Sequence, residues 1–192
     1  SAASGPVTSW SSIAEHTELM VSFGGLPLKN TQVEAFCAGD HSAESWLRRI
    51  GGGDCRFVYV GPVRGIDIAD FLNAKCLHPR PGTDVALMLG LAYVLVEDDL
   101  HDSNFLSSHT VGFEIFLEYL MGESDGVAKT PEWASVITEV DANTIRSLAR
   151  QMAECRTMIS ISWSLQRADH GEQPFWMAIT LAAMLGQIGL PG

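Results

Sequence analysis

Two short apolar runs, Leu-Met-Val-Ser-Phe at 19 to 23 and Arg-Phe-Val-Tyr-Val at 56 to 60, each stop abruptly at glycine, in Gly24-Gly25 and in Gly61-Pro62. A run this short and this continuously apolar reads as a strand buried on both faces, the situation in a parallel sheet covered by helices. Between the runs, Ser42 to Ile50 places Trp46, Leu47 and Ile50 on one helical face before the breaker Gly51-Gly52-Gly53. Strand, helix and strand then form one right-handed crossover unit.

The rest of the chain repeats the alternation. Ile66 to Leu72 reads as a short helix and Ala74 to Leu77 as a short strand, followed by a rigid turn at Pro79-Arg80-Pro81-Gly82-Thr83-Asp84. Each proline there fixes φ, and Gly82 permits angles closed to other residues. Thr83 or Asp84 is a natural N-cap for a helix over Val85 to Val96, whose first-turn amides favour an anion. Residues 102 to 153 read as wholly helical, with start signals at Thr130-Pro131-Glu132 and at Asp141. Thr157 to Ser162 returns as a strand, and Glu172 to Gln187 as an apolar helix that stops by Gly189 and Pro191. The expectation is an α/β fold with a mostly parallel sheet flanked by helices and an inserted helical layer. Residues 1–7 read as linker and 8–192 as one domain.

Bulk properties exclude several functions. A formal charge of −11, spread along the chain, repels phosphate backbones and anionic membranes, so nucleic acid is not an expected partner. The longest apolar stretch, Val85 to Val96, falls short of the roughly 18 to 20 residues of a membrane span. Cys37, Cys55, Cys76 and Cys155 form no C-x-x-C pair, which reads as buried free thiols rather than a zinc or redox site.

Ligands of parallel sheets sit outside the carboxyl ends of the strands. Four post-strand turns therefore become comparable: Gly24 to Lys29, Gly61 to Arg64, Arg80 to Asp84, and Trp163 to Arg167. Together they offer glycines for close backbone approach, Lys29 and arginines for phosphates, and Asp84 for a donor-rich ring. Singly each has a plainer reading. A glycine pair after a strand is more often an ordinary turn, Lys29 a solvated charge, and Arg64 or Arg80 a surface ion-pair partner. His170, beside Asp169 and Glu172, fits helix capping better than acid–base or metal chemistry. Trp46 and Trp133 read as core and Trp176 as packed under the loop. Trp163, at a strand end, is the tryptophan that could face a ligand.

Taken in order, several motifs resemble one family. They are Thr8-Ser9-Trp10, Pro27-Leu28-Lys29, Pro62-Val63-Arg64, the run Arg80-Pro81-Gly82-Thr83-Asp84-Val85-Ala86-Leu87, and Leu120-Met121-Gly122-Glu123-Ser124-Asp125-Gly126. Trp163-Ser164-Leu165-Gln166-Arg167 with His170-Gly171-Glu172-Gln173, and the final Met184 to Gly192, complete the pattern. The chain resembles the dimethyl sulfoxide, trimethylamine N-oxide and biotin sulfoxide reductases, which hold molybdenum between two molybdopterin guanine dinucleotides.

The resemblance implies a Rossmann-like, dinucleotide-fold segment of a longer reductase that binds one of those two cofactors. It carries cofactor contacts onto Gly24, Gly25, Leu28 and Lys29, onto Gly61, Pro62 and Arg64, and onto Pro81, Gly82, Thr83 and Asp84. Trp163, Ser164, Gln166 and Arg167 complete the set, with Trp163 and Arg167 also near the substrate funnel. The molybdenum-ligating serine belongs to an earlier domain of such enzymes, so no catalytic residue and no metal ligand is expected here. The implied partners are the remaining domains of the parent reductase and a small S-oxide or N-oxide, in the periplasm or the cytoplasm. Two positions depart from the family, Leu26 and Gly61, where it usually carries aspartate. Their expected effect is weaker ribose or guanine recognition, and the alternative reading is a degenerate module that no longer holds the dinucleotide.

Overall fold

The computed structural model describes residues 8–26, 42–64 and 72–192. Four strands, β1 (Leu19–Phe23), β2 (Arg56–Val60), β3 (Lys75–Leu77) and β4 (Thr157–Ile161), form one parallel sheet in the order β3-β2-β1-β4. Leu19 pairs with Arg56 on one side and Thr157 on the other, and the register runs unbroken to Phe23 with Val60 and Ile161. Eight α-helices accompany the sheet among the described residues: α1 (Trp10–His16), α2 (Ala43–Gly51), α3 (Asp84–Glu97), α4 (Ser103–His109), α5 (Phe113–Leu120), α6 (Pro131–Thr138), α7 (Ala142–Glu154) and α8 (Gln173–Met184). The α/β class and the inserted helical layer, α4 to α7, are as the sequence indicates. Residues 66–71 of the helix expected at 66–72, and Cys37, lie outside the described residues.

Alternation along the strands divides the core in two. Leu19, Val21, Phe23, Val58 and Val60 point into the main core with α3, while Met20 and Phe57 meet Ile13, Leu47, Ile50 and Leu72 in a smaller one. Helix α3 is buried on nearly every side, as a helix without a polar face must be. It packs against α6, α7 and α8, and a Cβ built on Gly90 would sit 2.7 Å from Ala134 Cβ, so glycine is what lets α3 and α6 approach. Helix α7 instead buries the stripe Ile145, Leu148, Ala149 and Met152. Thr130 and Asp141 cap α6 and α7 through Trp133 N and Thr144 N, as expected from sequence.

Several local expectations differ. Thr83 does occupy the N-cap position of α3, but its hydroxyl turns back to Arg80 O (2.6 Å) and makes no cap bond. Cys76 is exposed on the short edge strand β3, and Cys55 and Cys155, which precede β2 and β4, are only half-buried. Burial still pushes the Cys55 thiol up to about 11, which keeps it protonated and unreactive. Trp176 is exposed on α8, and Trp46 is half-buried with the Arg49 guanidinium 5.2 Å from its ring centre.

The loop between α5 and α6 is locked by one lysine. Lys129, only 2% exposed, donates from Nζ to Asp125 Oδ2 (2.7 Å), Tyr119 O (3.3 Å) and Val127 O, with the Tyr119 ring centre 4.1 Å away. The Lys129 hydrogen bond holds the Asp125 carboxyl below its usual range. Lys129→Met strands those carbonyls, so thermal unfolding should show a loss of about 1–3 kcal/mol. Because the folded Asp125 pKa is depressed, its contribution is present above the ordinary carboxylate range and lost as pH falls through the folded value. The gap between wild type and Lys129→Met should therefore narrow in acid.

Candidate functional site

From β1 the chain runs outward through β2 to β3, then returns by α3 to α7 to place β4 on the other side of β1. The turns after β1 and β4 thus leave the sheet in opposite directions, which makes a topological switch point with a crevice at the carboxyl ends. Ladder bonds carry the register into the turns: Gly24 N donates to Val60 O (2.8 Å), Gly61 N to Leu77 O (3.0 Å), and Ser162 N to Phe23 O (2.9 Å).

Gly24 and Gly25 hold φ of 75° and 76°, the left-handed region where a side chain is strained. A Cβ on Gly24 would lie 2.7 Å from Ser162 Cβ and 3.3 Å from Leu165 Cγ, so the β1 and β4 turns touch here. After β4, Ser162 Oγ accepts from Ser164 N (3.3 Å) and starts a short 3-10 helix, Trp163–Gln166. That turn presents Trp163, 76% exposed, with Gln166 and Arg167 also at the surface.

Helix α3 carries Asp84 back across the sheet to the same place. Asp84 is 7% exposed, and burial raises its carboxyl pKa against an opposing backbone hydrogen bond. It lines a cavity of about 310 Å³ with Gly82, Ser164, Leu165, His170 and Gln173, among others. The anion at the start of α3 is thus the protein's own carboxylate, suited to N–H donors of a ligand ring rather than to a phosphate. Exposed Pro81 and Gly82 sit beside it.

The cations sort themselves. Arg80 Nη2 donates to Glu139 Oε1 (2.5 Å), the plain ion-pair reading. Arg64 and Arg167 are exposed and form no ion pair among the described residues, so both are available to an anionic ligand. Leu28 and Lys29 lie outside the described residues.

His170 sits in the left-handed region (φ 54°), with Asp169 at 3.9 Å and Glu172 at 3.8 Å, all exposed. Neither His170 nor Glu172 caps α8 through a side chain; the His170 carbonyl accepts from Gln173 N (3.0 Å) instead. Gly171 is buried because a Cβ there would collide with the Gln166 carbonyl, which folds the 168–172 loop back onto the 3-10 helix. A cavity of about 600 Å³ lies between Trp163 and Trp176 over this loop. Among the described residues no cluster of three or more His, Cys, Asp or Glu could hold a metal ion.

Sequence reading passed over the penultimate residues of the strands. Cys76, Tyr59, Ser22 and Ser160 pair across the sheet in that order, and all carry a hydroxyl or thiol. They belong to the face that is apolar two residues earlier, at Phe57, Met20 and Met158. That shared change from apolar to polar was the available signal. A larger cavity, about 970 Å³, opens at the opposite edge beside Glu18, Asp54 and Arg156, where a parallel sheet does not place its ligand.

A family model for molybdopterin oxidoreductases matches residues 3–192. The chain belongs to the molybdopterin oxidoreductase family. It is 46% identical over 185 residues to the dimethyl sulfoxide/trimethylamine N-oxide reductase of Cereibacter sphaeroides, covering 96% of this chain and 22% of that protein. It is 47% identical over 191 residues to the biotin sulfoxide reductase of the same organism, covering 100% and 26%. Acetylene hydratase from Pelobacter acetylenicus, 23% identical, shares the fold with a TM-score of 0.74 over 92% of this chain and 22% of that one. This molybdopterin oxidoreductase chain spans about a quarter or less of the curated relatives it matches, so further domains are implied.

The contact between the two turns is open to test by denaturant unfolding. Gly24 and Gly82 both hold positive φ, but a Cβ on Gly82 meets nothing within 4 Å. Gly82→Ala should cost the left-handed strain alone, about 1–2 kcal/mol. Gly24→Ala should cost clearly more, because Ser162 and Leu165 must also move.

Proposed function

We propose that this chain is the domain of a molybdenum-dependent S-oxide or N-oxide reductase that holds one molybdopterin guanine dinucleotide. The observation that carries the reading is the switch-point contact of the Gly24 turn with the Ser162–Arg167 turn. Its surroundings fit such a group: the Gly82 turn is open at its Cβ position, Arg64 and Arg167 form no ion pair among the described residues and offer cations for a diphosphate, and buried Asp84 faces a cavity. Asp84 would accept from the donor edge of guanine, and Gly61, Pro62, Pro81, Gly82 and Thr83 would line the nucleotide. Ser164 and Gln166 would bind beside Trp163 and Arg167 at the pterin and the substrate funnel. Leu28 and Lys29 complete the proposed set.

When bound, the cofactor supplies the two-electron oxygen-atom transfer chemistry, and the protein supplies binding and orientation. On this reading the 192-residue chain alone is inactive, since a separate domain supplies the molybdenum ligand. Molybdenum and guanine analysis of the purified parent reductase tests the assignment, and absence of both would overturn it.

A second reading, a module that no longer holds the dinucleotide, draws on two positions. Leu26 packs against the smaller core and Gly61 offers no side chain, where the resembled family carries carboxylates. Titration with GDP, followed by Trp163 fluorescence, separates the two readings. On the first, GDP binds and Asp84→Asn weakens it about 10- to 100-fold, the worth of a charge-assisted hydrogen bond. Burial disfavours the charged form of Asp84, so the neutral variant should melt no lower than wild type.

A further inference from the structure

Tyr59 lies beneath two of the turns at once. It is 5% exposed, yet its ring would collide with a Cβ on Gly25, and its hydroxyl lies 2.5 Å from where the Gly61 Cβ would be. Both glycines leave room for the same phenol. Gly61 has no positive φ, so backbone strain does not explain the absence of a side chain there. The space belongs to Tyr59 instead.

The hydroxyl has reached a turn without finding a partner. Among the described residues Tyr59 Oη makes no hydrogen bond; its ring packs against His78, centroids 6.2 Å apart. Its neighbour across the ladder, Ser22, is 5% exposed, and Ser22 Oγ likewise has no partner. Of the two, Ser22 Oγ is the fully buried orphan, and a buried hydroxyl left unmade is costly. A carboxylate is what dinucleotide folds use to hold ribose hydroxyls. A phenol can do the same work neutrally, as donor and acceptor, without adding repulsion toward a diphosphate in a chain of net charge −11.

We propose that Tyr59 is the specificity-determining residue at the nucleoside end of the site, its hydroxyl binding the ribose hydroxyls where Gly61 carries no side chain. This rests on the dinucleotide-binding reading above. Burial keeps the phenol pKa raised, and so keeps the donor proton in place at neutral pH.

The role requires that an aspartate at 61 and a tyrosine at 59 exclude each other. Calorimetric titration of the 192-residue chain with GDP and with 2′,3′-dideoxy-GDP tests this, using Tyr59→Phe, Gly61→Asp and the double variant Tyr59→Leu/Gly61→Asp. Wild type should prefer GDP about 3- to 10-fold, the worth of one neutral hydrogen bond. Tyr59→Phe, which keeps the ring and hence the packing, should lose that preference while its melting temperature holds. Gly61→Asp alone should lose affinity and melt lower, and Tyr59→Leu should give the aspartate room and return the preference for GDP. A Tyr59→Phe chain that still prefers GDP overturns the role of Tyr59 and leaves the dinucleotide reading intact. A wild-type chain that binds neither nucleotide overturns both.

Discussion

The whole carboxyl edge depends on β1 being hydrogen-bonded in register on both sides. Leu19 to Phe23 pairs residue for residue with β2 and with β4, so Gly24, Gly61 and Ser162 emerge at one level. A slip of one residue would turn Val21 and Phe23 away from α3 and carry the main core with them. The hydrophobic pattern that fixes the register therefore also fixes which turns can meet. The Gly24–Ser162 contact follows from packing on the far side of the sheet.

Helix α3 converts that register into a site. Its apolar surface on every side forces it under α6, α7 and α8, and this central position brings its first residue to the β4 turn. Asp84 is consequently buried at a helix start with its charge disfavoured. A helix N-terminus near a proposed diphosphate would ordinarily attract phosphate, but here the first turn already carries an acid. Arg64 and Arg167, which form no ion pair among the described residues, lie on the turns after β2 and β4, so the polarity of the edge points from cations toward one buried acceptor.

Much of this was legible in the chain. Short apolar runs marked β1, β2 and β4, the first two ending at glycine, and the caps Thr130 and Asp141 marked helix starts because each supplies an oxygen to an orphan amide. What escaped reading depends on which partner each side chain meets in the fold. Thr83 looks like a cap, yet a carbonyl three residues back takes its hydroxyl. Arg80 looks like a phosphate ligand, yet Glu139, fifty-nine positions on, pairs with it. Trp176 looks like core, yet it is exposed on α8. Tyr59 looks like a strand filler, and only the parallel register sets it between two glycines.

The departures at Leu26 and Gly61 are not equivalent in physical terms. Leu26 contributes apolar surface to the smaller core, so a carboxylate there would exchange packing for recognition. Gly61 contributes nothing to packing by itself; it leaves space that Tyr59 fills. A glycine that merely lacked a side chain would leave a cavity or a solvated notch. Here the space holds the Tyr59 ring, beside Ser22 in the next strand, whose Oγ is buried with no partner among the described residues. Steric exclusion makes the two arrangements alternatives: a site that carries the aspartate must move the phenol, and a site that carries the phenol must keep the glycine. The residues at 59 and 61 are thus one choice made at two positions, and on the proposal above the group this turn offers a ligand is a neutral hydroxyl in place of an anion.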